Sequence, residues 1–134
     1  SIKFTNGTLK RGAGLAKGDP IIKISNGTVV EFDETVTISG ENLTTNGPAV
    51  ELLDASLKTA AWIGNTQCGT ENAYTLAINA FYSSSKLEVV GGQTKFGGIK
   101  YYGTEPLIVS GGTHESIIVR SDVIVSGIIR PSCI

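Results

Sequence analysis

The sequence predicts a mainly β, compact single β-rich domain, barrel-like, tulip-like or sandwich, with one or two short helices and an extended N-terminal arm. Three observations predict it. Seventeen glycines punctuate short β-branched runs, and glycine reaches positive φ without a Cβ penalty, so tight turns can separate many strands. Hydrophobic residues make up 40% of the 134 residues and aromatics 7%, enough for an aliphatic core. That length sits near the modal size of one domain. Residues 8–134 are therefore expected to form the domain and residues 1–7 the arm.

The elements follow in order. Ile2 and Phe4 alternate with polar neighbours ahead of the Asn6-Gly7 turn, an extended segment with little local structure to hold it. Thr8 to Gly18 is small and Gly-rich. Ile21 to Ile24 and Val29 to Phe32 flank Ser25-Asn26-Gly27, the clearest hairpin signal in the chain. Val36 to Ile38 is a third strand. Ala49, Val50, Leu53 and Leu57 recur at helical spacing, with Asn46 placed to cap and Pro48 at the first turn, which predicts a short helix.

Strand pattern returns at Ala60 to Ile63, Tyr74 to Phe81 and Leu87 to Val90. Gly97-Gly98, between Phe96 and the Ile99 to Tyr102 strand, reads as a second tight hairpin. Leu107 to Val109 ends at Gly111-Gly112. In the tail, Thr113 to Ser116 fits a helix start, whereas Ile117 to Val119 and Val123 to Val125 favour strands; Ile128-Ile129 is a last strand. No repeat of constant period emerges, which disfavours a solenoid.

The chemistry available is sparse. There is one His (His114), two Cys (Cys68, Cys133) and no Met, and the net charge is −1 with no run of like sign. This predicts a protein that is not an enzyme, with no cofactor and no metal. It also predicts no direct nucleic-acid partner, because duplex binding calls for a basic face. No stretch approaches the ~20 apolar residues that span a bilayer. Charged residues at 17% fall below the usual share of about 25%, as on a surface partly covered by neighbours. Ser1 fits a processed or trimmed start. Cys68 and Cys133 fit either one disulfide or two buried thiols.

Several local patterns have a bland reading and a sharper one. Gly12, Gly14 and Gly18 are one residue too widely spaced for a dinucleotide fingerprint and read as a surface turn. His114 has no nucleophile motif near it. Asp33-Glu34 lacks the spacing of a calcium loop. Asn6, Asn26 and Asn42 each open a glycosylation triplet, though the first two read as turns. Phe96, Tyr101, Tyr102 and Trp62 fit sheet-face packing or, alternatively, a sugar-stacking platform. The arm is the segment best explained by a partner: Ser1, Ile2, Lys3, Phe4 and Thr5 can add a strand to another protein's sheet edge.

The order of segments resembles the lambda-type head decoration proteins of tailed bacteriophages. The residues that carry the likeness are Asn6-Gly7-Thr8-Leu9-Lys10-Arg11-Gly12, Gly18-Asp19-Pro20-Ile21-Ile22 and Asn26-Gly27-Thr28-Val29-Val30. They continue with Ala60-Ala61-Trp62-Ile63-Gly64, then Ala77 to Tyr82 with Ser83 to Leu87, and Ser116 to Arg120 followed by Ser126-Gly127-Ile128-Ile129. The resemblance implies a homotrimeric cement protein on the outer surface of a phage capsid. It implies assembly in the host cytoplasm, and a Ser1 to Thr5 arm that contacts the major capsid protein and stabilises the shell. Two other classes compete: a secreted β-sandwich pilus or adhesin subunit with a donor-strand-like arm, supported by a possible Cys68–Cys133 bridge, and a carbohydrate-binding module.

Overall fold

β-branched runs only two to four residues long cannot bury themselves alone; each needs a neighbouring strand on both sides. The computed structural model, which describes all residues except 41–44, 66–75, 121 and 132–134, supplies those neighbours by coiling the chain. The first coil contributes β1 (Ile2–Phe4), β2 (Gly7–Lys10) and β3 (Ile22–Ser25). The second contributes β4 (Val29–Phe32), β5 (Val36–Ser39) and β6 (Val50–Leu53), and the third β7 (Ser56–Thr59), β8 (Trp62–Gly64) and β9 (Ile78–Ala80). Then come β10 (Lys86–Val89), β11 (Gln93–Lys95) and β12 (Ile99–Tyr101), followed by β13 (Leu107–Val109), β14 (Thr113–His114) and β15 (Ile117–Val119). β16 (Val123–Val125) and β17 (Ile128–Ile129) begin a sixth.

Every third strand stacks on the one before it. The first sheet runs β1-β4-β7-β10-β13-β16, the second β2-β5-β8-β11-β14-β17, and the third β3-β6-β9-β12-β15, and all pairings are parallel. This is a three-sided parallel β-helix. A parallel pair needs a long crossover, and here the other two sides of each coil are the crossover.

The mainly β expectation holds, and three finer expectations are corrected. No helix occurs among the described residues. The segment expected to be helical, Ala49 to Leu57, is β6, a corner at Asp54 with φ 55°, and β7. The corner shifts the inward phase, so Val50 and Leu52 face the core from one sheet and Leu57 from the next; two period-2 strands offset by a corner mimic a period of 3.6. The helix start at Thr113 is β14. Neither glycine turn makes a hairpin, so a barrel or sandwich built from hairpins is replaced. Asn26 and Gly27 do take positive φ (56° and 73°), but they turn the chain from the third sheet onto the first instead of reversing it.

The solenoid that the aperiodic sequence disfavoured is present. Ile2 pairs with Val30, Val30 with Leu57 and Leu57 with Leu87; Glu88 then pairs with Ile108 and Ile108 with Ile124. The steps are 28, 27, 30, 20 and 16 residues. Corner loops of unequal length hide the repeat from any search for a fixed period, while the register of the short strands is kept.

The core is a set of like-on-like columns. On the third sheet Ile22, Val50, Ile78, Ile99 and Ile117 are stacked in register, and the middle three are fully buried. Each such side chain contributes about 1.5–3 kcal/mol of burial. The corner between the first and second sheets is made by Gly91-Gly92 and Gly111-Gly112. Gly92 (φ 72°) and Gly112 (φ 84°) are left-handed, and a Cβ on either would strike the carbonyl of the coil beneath, Ala61 and Gly92 respectively. Only glycine allows coils to stack that closely at this corner.

Candidate functional site

Residues Ser1 to Thr5 do not hang free. Ile2, Lys3 and Phe4 form β1 and pair in register with Val30, Glu31 and Phe32, and the Phe4 and Phe32 rings lie 5.5 Å apart at 58°. A chain of hydrogen bonds locks the turn that follows. The Asn6 N–H donates to Thr35 Oγ1 at 2.6 Å, and Thr35 donates from both its N–H (2.8 Å) and its hydroxyl to the Asp33 carboxylate. Those two bonds hold the Asp33 carboxyl below its ordinary value. Asp33 is thus a turn acceptor, and no group of three metal-ligating side chains occurs among the described residues.

β1 is the outermost strand of its sheet, and its second edge has no partner among the described residues. Phe4 O accepts the Asp33 N–H, so residue 4 turns its peptide groups toward β4. With strand alternation, Lys3 turns its own N–H and C=O outward. Ile2 and Phe4 occupy inward positions yet are 50% and 37% exposed, since none of the described residues stacks a further coil on them. The face above is a ladder of alternating charge, Lys3, Glu31, Lys58 and Glu88. Lys3 Nζ lies 4.0 Å from Glu31 with both side chains exposed, a contact worth little energy that nonetheless favours one register. A depression of about 440 Å³ runs along this ladder beside Ile2, Tyr101 and Pro106. At the opposite end of the solenoid Val123, Val125 and Ile129, which also hold inward register positions, are exposed as well, with no further coil stacked on them among the described residues.

The glycine-rich loop after β2 has the polarity opposite to a phosphate cradle. Its carbonyls converge on the buried Arg11: Nη1 donates to Asp19 O at 2.5 Å and Nη2 to Ala16 O at 2.8 Å. Carbonyl oxygens around a guanidinium would repel an anion. His114 sits in the inward column Ile38, Ile63, Thr94, His114, Ile129 of the second sheet. It is 1% exposed, with Nε2 2.8 Å from Gly111 O and Nδ1 3.3 Å from Thr94 Oγ1. Burial lowers its pKa, with the Gly111 bond opposing. The geometry fits a neutral ring donating from Nε2 and accepting at Nδ1, a core histidine with both nitrogens engaged.

The aromatic candidates scatter. Tyr101 is fully buried, its hydroxyl donating to Glu105 O at 2.8 Å. Tyr102 is half-buried with Lys100 Nζ and Arg120 Cζ 5.0 and 4.0 Å from its ring centre. Phe96 stands at φ 60° beside Lys95, 5.1 Å away. Trp62 lies against Gly64 on the outside of the second sheet. The exposed aromatic pair is instead Phe81 and Tyr82, which sequence reasoning placed inside a strand or beyond its end. The signal that could have found it is the run of Ser83 to Ser85 directly after it, which ends the strand and leaves both rings on a corner.

Asn6 and Asn26, from the first two glycosylation triplets, are turn residues with φ 53° and 56°; Asn42 lies outside the described residues, as do Cys68 and Cys133. No helix among the described residues is long and apolar enough to cross a membrane. Comparison with family models, curated proteins and solved structures returns no match for this chain.

Proposed function

We propose that this chain is a structural, non-enzymatic protein that braces a larger protein shell and is fixed to it by strand addition along β1. The observation that carries the reading is the free edge of the first coil, with the Lys3 peptide groups directed outward and the apolar Ile2 and Phe4 exposed. Such an edge binds an extended partner segment through backbone hydrogen bonds, while alternate side chains set the register. The resemblance in segment order supplies the partner: the major capsid protein of a phage head, with this chain seated as a homotrimer on the outer surface of the virion. Three edges presented together bind as one unit.

The pairing of β1 with β4 bears on how that contact forms. The edge is held by its own domain, so a partner strand meets a template already ordered and the ordering cost falls mainly on the partner. The test is Lys3→Pro, which removes the outward N–H without touching the bonds to β4. Proline is tolerated at the solvent side of an edge strand, so the fold is expected to survive. Sedimentation with expanded capsid shells should show wild-type chain bound and the variant free. Equal binding by the two would overturn the reading.

A further inference from the structure

The outward face of the third sheet, together with the corner that follows it, collects groups for which strand addition at β1 has no use. Register sets Lys23 beside Glu51, Glu51 beside Asn79, and Asn79 beside Lys100, one polar column. The next outward column begins with Ser25 and Leu53. Beyond the end of β9 stand Phe81 and Tyr82, their ring centres 4.3 Å apart at 35°. They are 37% and 44% exposed, stacked on each other at the surface and not in the core. Large apolar groups kept in the open as a cluster mark interaction sites.

Beside Tyr82 is a depression of about 390 Å³ walled by Lys23, Ser25, Asn26, Leu53 and Asp54, within the size range of small-ligand sites. Asn26 and Asp54 occupy corner positions with φ 56° and 55°. Among the described residues, neither side chain is engaged in a hydrogen bond or ion pair. On the same face Asn79 Oδ1 is buried with no hydrogen-bond donor, and burial raises the Glu51 carboxyl above its ordinary value. The Tyr82 ring, backed by Phe81, thus lines one shallow site together with an unused carboxylate, an unused amide and an ammonium.

The chemistry narrows the ligand. A phosphate-rich ligand would meet Glu51 and Asp54 on a chain of net charge −1. A peptide strand added at the outer edge of β3 would lie on the side of β3 away from β6 and β9, and so away from Asp54 after β6 and from Phe81 and Tyr82 after β9. A wholly apolar ligand would leave Lys23, Asn26 and Asp54 desolvated without partners. A pyranose satisfies all the groups: its C–H face packs on an aromatic ring, and its rim of hydroxyls both donates and accepts. We propose that Phe81, Tyr82, Asp54, Asn26 and Lys23 form a glycan-binding site that seats a pyranose ring against the aromatic pair. Lys23, Ser25 and Asn26 also line a neighbouring depression with Ile2 and Phe4 of β1. The variants that test this inference are therefore placed at Phe81, Tyr82 and Asp54, which line no depression with β1, and their outcome is separable from that of shell attachment.

The test begins with the 134-residue chain on an array of bacterial, plant and animal glycans, followed by calorimetric titration of the strongest binder. Binding to a pyranose-containing glycan is expected. It should weaken at least tenfold in Phe81→Ala/Tyr82→Ala and be unchanged in Trp62→Phe, whose ring lies on another side of the solenoid. Should the double variant lose cooperative unfolding, Tyr82→Ser and Asp54→Asn take its place, each expected to weaken binding several-fold. Absence of binding across the array, or equal affinity of the wild type and these variants, overturns the proposal.

Discussion

Two glycines with nearly the same backbone conformation isolate how tightly the coils stack. Gly27 has φ 73° and Gly92 has φ 72°. A Cβ at Gly27 meets nothing within 4 Å, whereas at Gly92 it strikes Ala61 O, Ala60 O and Ala60 C. Gly27→Ala should therefore lose only the left-handed backbone term, about 1–2 kcal/mol. Gly92→Ala loses the same term and must also separate two coils against rigid backbone, adding roughly 1–3 kcal/mol by analogy with overpacking. The second change then removes about 2–5 kcal/mol, a large part of the 5–15 kcal/mol that typically holds a domain together. Urea unfolding followed by circular dichroism measures both, with the slope checked for constancy so that midpoints compare directly. Equal losses in the two variants would refute close stacking at the first-to-second-sheet corner.

Two further predictions rest on the core. His114 is buried with a lowered pKa, so below about pH 6.5 the unfolded chain binds the proton more readily than the folded one. Stability is fully present above that pH and falls as pH drops, by up to about 1.4 kcal/mol per unit until the folded-state value is reached. Unfolding midpoints between pH 7.5 and 5 should show that slope, and His114→Leu should flatten it; an unchanged slope would show that other groups carry the pH dependence. Ile63 is fully buried and stacked between Ile38 and Thr94, so Ile63→Ala should cost about 2–5 kcal/mol in the same denaturation assay; a loss below about 1 kcal/mol would contradict its place in the column.

Particular residues show which features were legible. The strands at Val29 to Phe32, Val36 to Ile38, Leu107 to Val109 and Val123 to Val125 are found where β-branched runs predict them, because strand preference is a local property of a pleated, half-buried surface. Asn26-Gly27 turns where the dipeptide says it must. Ala49 to Leu57 misled because a corner at Asp54 joins two strand phases into an apparent helical period. The Phe81–Tyr82 pair was hidden because local pattern cannot tell a ring turned into a core from one left on a corner.

The sequence by itself determined that this is a β protein with short strands, many tight turns and an aliphatic core, since those depend on conformational preferences of single residues and dipeptides. Only the tertiary structure decided that the turns are corners and not hairpins, that strands pair parallel with partners 15 to 31 residues away, and that Ile2 to Phe4 form an edge strand. The physical reason is that a turn fixes the direction of the next few residues, while the choice of pairing partner is settled by which distant surfaces bury one another. Unequal coil lengths kept that choice out of the sequence pattern, and the inward columns of isoleucine, valine and leucine enforced it in the fold.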